Sequence, residues 1–190
     1  GYVDEATRFT LFSYAVLEVI ELLEEKPWIL HLNDWQTAMI PYLLDEHYRR
    51  KADYYNNIRT LLTIHNLEFQ GNFDEHESRL FNHDFDGTYI HFNRVNFLKA
   101  GISRATKINT VSPSFRNEVL TQERGFSLDG MLRYREKDFS GILNGIDDSV
   151  FNPEVDPYLV QNYTDKNFVS GKKANKKTLF EDFDFGEDKQ

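Results

Sequence analysis

Trp28-Ile29-Leu30-His31-Leu32-Asn33-Asp34-Trp35 decides how this chain is read. Pro27 ends whatever precedes it, five largely apolar residues follow, and Asn33-Asp34 closes the run, so the segment reads as a short buried strand that opens onto a polar turn. On its amino-terminal side, Phe12, Val16, Val19, Ile20 and Leu23 recur at three- and four-residue spacing within 8–25, which predicts a helix with one apolar face. On its carboxyl side a helix is expected over about 37–49, then a second buried strand over 58–64. Phe92, Val95, Leu98 and Ile102 predict a helix ending near Gly101, and a third strand follows at 107–111. Ser112 caps the next helix, with Pro113 in its first turn where a missing N–H does no harm. A fourth strand at 139–143 is closed by Asn144-Gly145, and a last helix spans 170–183. Alternating strands and helices specify an α/β fold: a Rossmann-like parallel sheet with flanking helices and right-handed crossovers. After Asp156 polar residues dominate and no strand is evident, so residues 1–156 read as one domain and 157–190 as a linker and helix.

The 190 residues are 40% hydrophobic and 28% charged, and 16 Phe, 10 Tyr and 2 Trp supply bulky material for a core. A formal net charge of −9, with no basic cluster interleaved with aromatics, argues against nucleic acid as a partner. The absence of cysteine excludes disulfides, thiol nucleophiles and sulfur-ligated zinc, and it fits a reducing compartment. No run approaches the ~20 apolar residues of a membrane span, and no basic-then-apolar leader opens the chain, so no membrane partner and a cytoplasmic location are expected.

Parallel sheets bind ligands at the loops beyond the carboxyl ends of their strands. Asp34 follows the first expected strand, His65 the second and Asn144 the fourth. Asp34-Trp35 could bind a sugar by hydrogen bonding and ring stacking, or Asp34 could cap the next helix while Trp35 fills the core. His65 and Asn66 end an apolar strand in two polar side chains, which suits either a catalytic or a structural role. Asn144-Gly145 can be a functional amide or simply a tight turn. Residues 74–91 hold His76, His83, His91, Asp84 and Asp86, but their spacing matches neither an EF-hand nor a two-His zinc helix, so a solvated loop and no bound metal are expected. Neither a P-loop nor G-x-G-x-x-G follows any strand, so no phosphate cradle is encoded here.

Together, His31-Leu-Asn-Asp34-Trp35, Thr63-Ile-His65-Asn66-Leu-Glu-Phe-Gln70-Gly71, Asn96-Phe-Leu-Lys99-Ala-Gly101-Ile, Thr110-Val-Ser112-Pro113, Leu128-Asp-Gly130 and Gly141-Ile-Leu-Asn144-Gly-Ile-Asp147 resemble bacterial glycogen synthases and plant starch synthases, in order and spacing, from about Arg8 to Leu179. The resemblance implies a GT-B glycosyltransferase of two Rossmann-like halves, with the glucan acceptor against the first and ADP-glucose mostly against the second. This chain resembles the later part of the first half. The family's Lys-Thr-Gly-Gly-Leu motif and its second half have no counterpart in it, so the chain alone is expected to be inactive.

The family's activity is transfer of glucose from ADP-glucose to an α-1,4-glucan with retention of configuration, without cofactor or metal. By position, Asp34 and Trp35 resemble its acceptor-side pair, with Asn66 also counted as substrate-binding. His65 resembles the histidine beside the transferred glucose, and Asn144 an asparagine that reaches the same sugar. Many members have His where Asn33 and Gln36 stand, and Trp where Phe151 stands. None of these three positions is expected to touch the groups named. A glucan-binding module without catalysis is the alternative reading. Part of a parallel sheet also exposes open edges, so self-association is expected.

Overall fold

Strands β1 (Ile29–Asn33), β2 (Arg59–Ile64), β6 (Lys107–Thr110) and β7 (Phe139–Gly141) form a four-stranded, all-parallel sheet in the order β1-β2-β6-β7. The computed structural model describes residues 3–24, 26–81 and 85–185. The register pairs Leu32 with Leu62, Leu62 with Ile108, and Ile108 with Phe139, which lays one apolar row across the sheet. All four carboxyl ends therefore share one edge. The expected strands and the α/β class are present, each strand within one or two residues of its expected bounds.

The crossover from β1 to β2 is one winding helical stretch: α2 (Asp34–Thr37), α3 (Met39–Leu43), a π-helical turn (Leu44–Tyr48) and α4 (Arg49–Lys51). It begins immediately after β1, earlier than residue 37. Met39, Ile40, Tyr42, Leu43, Leu44 and Tyr48 are all essentially fully buried, so hydrophobic burial rather than helix propensity holds the stretch together. Helix α3 packs on α5 (Phe97–Arg104). A Cβ on Gly101 would lie 2.7 Å from the Ala38 carbonyl oxygen, so the small Ala38-Gly101 pair sets how closely the two segments approach.

Helix α1 (Glu5–Leu22) corrects one expectation. Its buried stripe is Ala6, Thr10, Ser13, Leu17 and Ile20, whereas Phe12, Val19 and Leu23 are exposed. The close approach to α3 selects the smaller residues, and the larger apolar ones form the outer face. The reading of β1 as a fully buried strand is also corrected. It is a sheet edge, and Ile29, His31 and Asn33, which share one face, are exposed.

Residues 72–96 contain a small antiparallel sheet that sequence reading took for loop and helix: β3 (Asn72–Asp74), β4 (Ile90–His91) and β5 (Arg94–Asn96), in the order β3-β5-β4. Helix α5 starts only at Phe97 because the Asn96 side chain accepts the Lys99 amide at 2.7 Å and caps it. The Ser112 cap is as expected: its hydroxyl accepts from Phe115 N at 2.9 Å and Pro113 opens α6 (Pro113–Val119). Helix α7 (Asp129–Tyr134) was not anticipated. The chain divides into two compact units, 1–144 and 145–190, a division earlier than the composition shift at Asp156. The second unit contains α8 (Phe168–Asp182) and no strand among its described residues.

Candidate active site

At the β1–α2 junction the backbone turns so sharply that Asp34 takes φ 54°, in the left-handed region where Asp is one of the few tolerated residues. The Thr37 hydroxyl closes this turn, accepting from Asn33 N at 2.8 Å and donating to Asn33 O at 2.9 Å. With the turn closed by Thr37, the Asp34 carboxylate reaches across to the neighbouring strand instead of capping its own helix. Its Oδ1 accepts from His65 N at 2.8 Å and from Asn66 N at 3.4 Å. These charge-assisted bonds pin the start of the loop after β2 to the end of β1. The capping alternative for Asp34 is thus not what the structure has.

His65 is exposed, and its imidazole is nonetheless oriented: Nε2 lies 3.0 Å from Asn33 Oδ1. An amide oxygen only accepts, so Nε2 is the donor in this contact. Asn33 was expected to stand clear of the site, and this contact corrects that. Its position next to Asp34 was the available signal, because the two ends of adjacent parallel strands face each other. Asn66 is exposed and its Oδ1 accepts the Glu68 amide at 3.0 Å, which bends the loop back toward Gly71.

Trp35 is half-buried, with its indole in edge contact with Phe9 (4.9 Å between centroids), Phe73 (5.8 Å) and Phe97 (6.3 Å). Gly71 (φ 63°) lies flat against it, and a Cβ there would come within 2.5 Å of the indole Cε3. Trp35 is accordingly the anchor that sets the height of the 65–71 loop. Beneath the site runs a polar ladder that sequence reading missed. His31 Nε2 meets Thr63 Oγ1 at 2.8 Å, and Thr63 donates to Asn109 Oδ1 at 2.7 Å, across β1, β2 and β6. Only the register that brings these strands together reveals it.

Asn144 is exposed, three residues past β7 on the same carboxyl edge, and among the described residues no hydrogen bond joins it to Asp34 or His65. Two strand spacings, roughly 10 Å, separate the ends of β2 and β7. The Asn144-Gly145 turn is not a tight one. The nearest turn is built by Asp147, whose Oδ1 accepts from Ser149 N and Oγ, and these bonds hold its carboxyl below the usual range. A cavity of about 460 Å³ lies in the second unit, lined by Asn152, Glu154, Tyr163, Phe168 and Lys172 among others, and it contains none of the residues singled out above.

No group of three or more His, Asp or Glu side chains placed to hold a metal occurs among the described residues. His76 pairs with Glu77, His91 with Ser127, and Asp86 with Tyr42, Thr88 and Arg104, while His83 and Asp84 fall outside the described residues. Nor does any described helix have the length and apolarity to cross a membrane.

The family model described as the starch synthase catalytic domain matches residues 1–134. The chain belongs to this family. It is 61% identical over 184 residues to a glycogen synthase of Acholeplasma laidlawii, covering 96% of this chain and 38% of that protein. It is 43% identical to a glycogen synthase of Bacillus subtilis, covering 94% and 38%. Among solved structures it is similar to the catalytic domain of starch synthase IV from Arabidopsis thaliana bound to ADP and acarbose, with a TM-score of 0.74 and 35% identity over 96% of this chain and 38% of that one. The chain thus spans well under half the length of the relatives it matches. Family membership agrees with the six ordered motifs, and the parallel sheet with flanking helices is the fold those motifs implied.

Proposed function

We propose that the complete protein of which this chain forms part is a glycogen synthase, and that the chain supplies its acceptor-side half. The reaction is transfer of glucose from ADP-glucose to the non-reducing end of an α-1,4-glucan with retention, with no cofactor or metal, in the cytoplasm. The observation that carries the reading is the Asp34–His65 junction. A carboxylate clamps the backbone of the loop bearing an exposed, pre-oriented imidazole, at the sheet edge where α/β folds bind ligands. The names of the relatives, and the ADP and acarbose bound to the Arabidopsis enzyme, support it.

In this reading His65 and Asn144 are polar partners of the transferred glucose, and Asp34, Trp35 and Asn66 belong to substrate binding, with Trp35 acting by positioning the loop. Catalysis rests on orientation and on stabilising positive charge at the reacting carbon, since the site is arranged before substrate arrives and need not reorganise. ADP-glucose is held mostly by protein beyond this chain, so the isolated chain is inactive. The test is His65→Ala in the full-length protein, assayed by glucose transfer from ADP-glucose to glycogen. A fall in kcat of about 100-fold or more, with the thermal midpoint preserved, is expected. An unchanged rate would remove His65 from the transfer site, a rate lost in step with stability would make it structural, and a full-length protein that binds glycogen but transfers no glucose would leave only the glucan-binding module.

A further inference from the structure

Asn144-Gly145 is the one Asn-Gly step in the sequence. Backbone bonding beyond β7 ends where Ile142 N donates to Thr110 O at 2.8 Å, and it resumes where Phe151 N donates to Asp147 O at 2.8 Å. Among the described residues no hydrogen bond, from backbone or side chain, involves 143–146, and Asn144 and Gly145 are both exposed. A Cβ on Gly145 would meet no atom within 4 Å, so the chain has open space around this step. Gly145 also lacks the Cβ that restricts φ and ψ, so its nitrogen can turn back onto the preceding side chain. The two Asp-Gly steps have no such freedom. The Asp86 carboxylate is bonded to Tyr42, Thr88 and Arg104, and Asp129 is buried in α7 and paired with Arg133 at 2.7 Å.

We infer that Asn144-Gly145 is a site of spontaneous deamidation, which retires the transfer site of a protein standing without substrate. Asn is among the residues that limit the durability of proteins. Once base removes its proton, Gly145 N attacks Asn144 Cγ. The Cγ–Nδ2 bond breaks, Nδ2 takes up a proton and leaves as ammonia, and a cyclic imide remains. Water then opens the imide. Cleavage at the side-chain carbonyl gives aspartate, and cleavage at the main-chain carbonyl of Asn144 gives isoaspartate, whose backbone runs through the former side chain. In sum one water enters and one ammonia departs, with no oxidant, reductant or second protein. The effect on transfer rests on the glucan-synthase reading, in which Asn144 is a partner of the transferred glucose. An amide both donates and accepts, whereas a carboxylate only accepts, so a bond donated to the sugar is lost and a negative charge replaces it. Isoaspartate also adds a backbone carbon where the second compact unit begins. Bound sugar holds the amide away from Gly145 N, so an idle protein ages faster than a working one.

The test follows the full-length protein, kept warm at mildly alkaline pH. Mass spectrometry of the peptide carrying 141–147 reads the exchange of amide for acid, an isoaspartyl methyltransferase reads isoaspartate, and circular dichroism shows that the fold persists. Transfer from ADP-glucose to maltotriose is assayed on the same samples. Expected is modification at Asn144 that rises with hydroxide concentration, slows in saturating ADP-glucose, and is matched by loss of transfer. Gly145→Ala should slow both about fivefold, because a Cβ narrows the freedom that ring closure needs. Asn144→Asp should transfer about tenfold or more slowly from the outset, for want of one hydrogen bond to the sugar. An unmodified Asn144, Gly145→Ala ageing at the wild-type pace, or modified protein and Asn144→Asp that transfer at the original rate each overturn the proposal. A full-length protein that deamidates at Asn144 but never transfers glucose upholds the modification site and sinks the synthase reading.

Discussion

Replacing Asp34 tests the junction on which the candidate site depends. Its carboxylate accepts two backbone amides across the β1–β2 gap, and its backbone sits at φ 54°. Asp34→Ala removes both acceptors and puts a residue without a local hydrogen bond into the left-handed region. The amide bonds are partly solvated, so their loss costs about 1 kcal/mol, and the conformational penalty adds about 1 kcal/mol. The sum of about 2 kcal/mol corresponds to a fall in Tm of about 4–8 °C for a chain of this size. Asp34→Asn keeps an oxygen acceptor and tolerates the left-handed backbone, so it loses only the charge and should cost about 1 kcal/mol or less. Thermal unfolding by circular dichroism measures both, and transfer assays in the full-length protein then compare charge with geometry. If Asp34→Ala unfolds at the wild-type temperature, the carboxylate does not hold the loop and the argument for a pre-oriented His65 fails. If Asp34→Asn is as unstable as Asp34→Ala, charge rather than acceptor geometry is what binds the amides.

Further predictions follow from other contacts. Gly71→Ala places a methyl 2.5 Å from the Trp35 indole at φ 63°, so it should destabilise by about 2 kcal/mol or more and shift Trp fluorescence; a neutral effect would mean the loop is free to move. Arg104 pairs with Glu46 at 2.8 Å and with Asp86, and Glu46 is buried, so Arg104→Met should cost about 3 kcal/mol by taking away the closer partner of a buried carboxylate, and adding Glu46→Gln should recover part of it. A double variant no more stable than Arg104→Met alone would refute that account. Burial alone would raise the Asp86 carboxyl, but bonds from Thr88 and Tyr42 and the Arg104 charge outweigh it and hold it below its ordinary value of 3.8. The native state therefore binds fewer protons than the unfolded chain at acid pH. This contribution is complete above pH 3.8 and is lost as pH falls through the lower native value, so Asp86→Asn should flatten the acid limb of the stability profile. Finally, β1 is an edge strand with Ile29 63% exposed, and concentration-dependent self-association of the isolated chain is expected; light scattering that stays monomeric at high concentration would contradict it.

Much of the architecture was legible in the sequence because local chemistry dictates it. Apolar runs bounded by Pro27, Asn33-Asp34 and His65-Asn66 specify strands, and Ser112-Pro113 specifies a helix start, without reference to anything distant in the chain. The same locality placed Asp34, His65 and Asn144 at strand ends, and six ordered motifs were enough to name the family. What local pattern could not decide was which partner each group meets. Asp34 bonds to the 65–66 amides rather than its own helix, Asn33 orients His65, and His31, Thr63 and Asn109 join in a ladder, all of them consequences of the parallel register between β1, β2 and β6. The buried face of α1 and the exposed face of β1 were likewise misjudged from periodicity, since several faces of an apolar-rich segment look alike until a neighbour selects one. Sequence determines the elements through short-range sterics and hydrogen bonding; only tertiary packing, which brings residues some 30 positions apart within about 3 Å, decides what those elements can do.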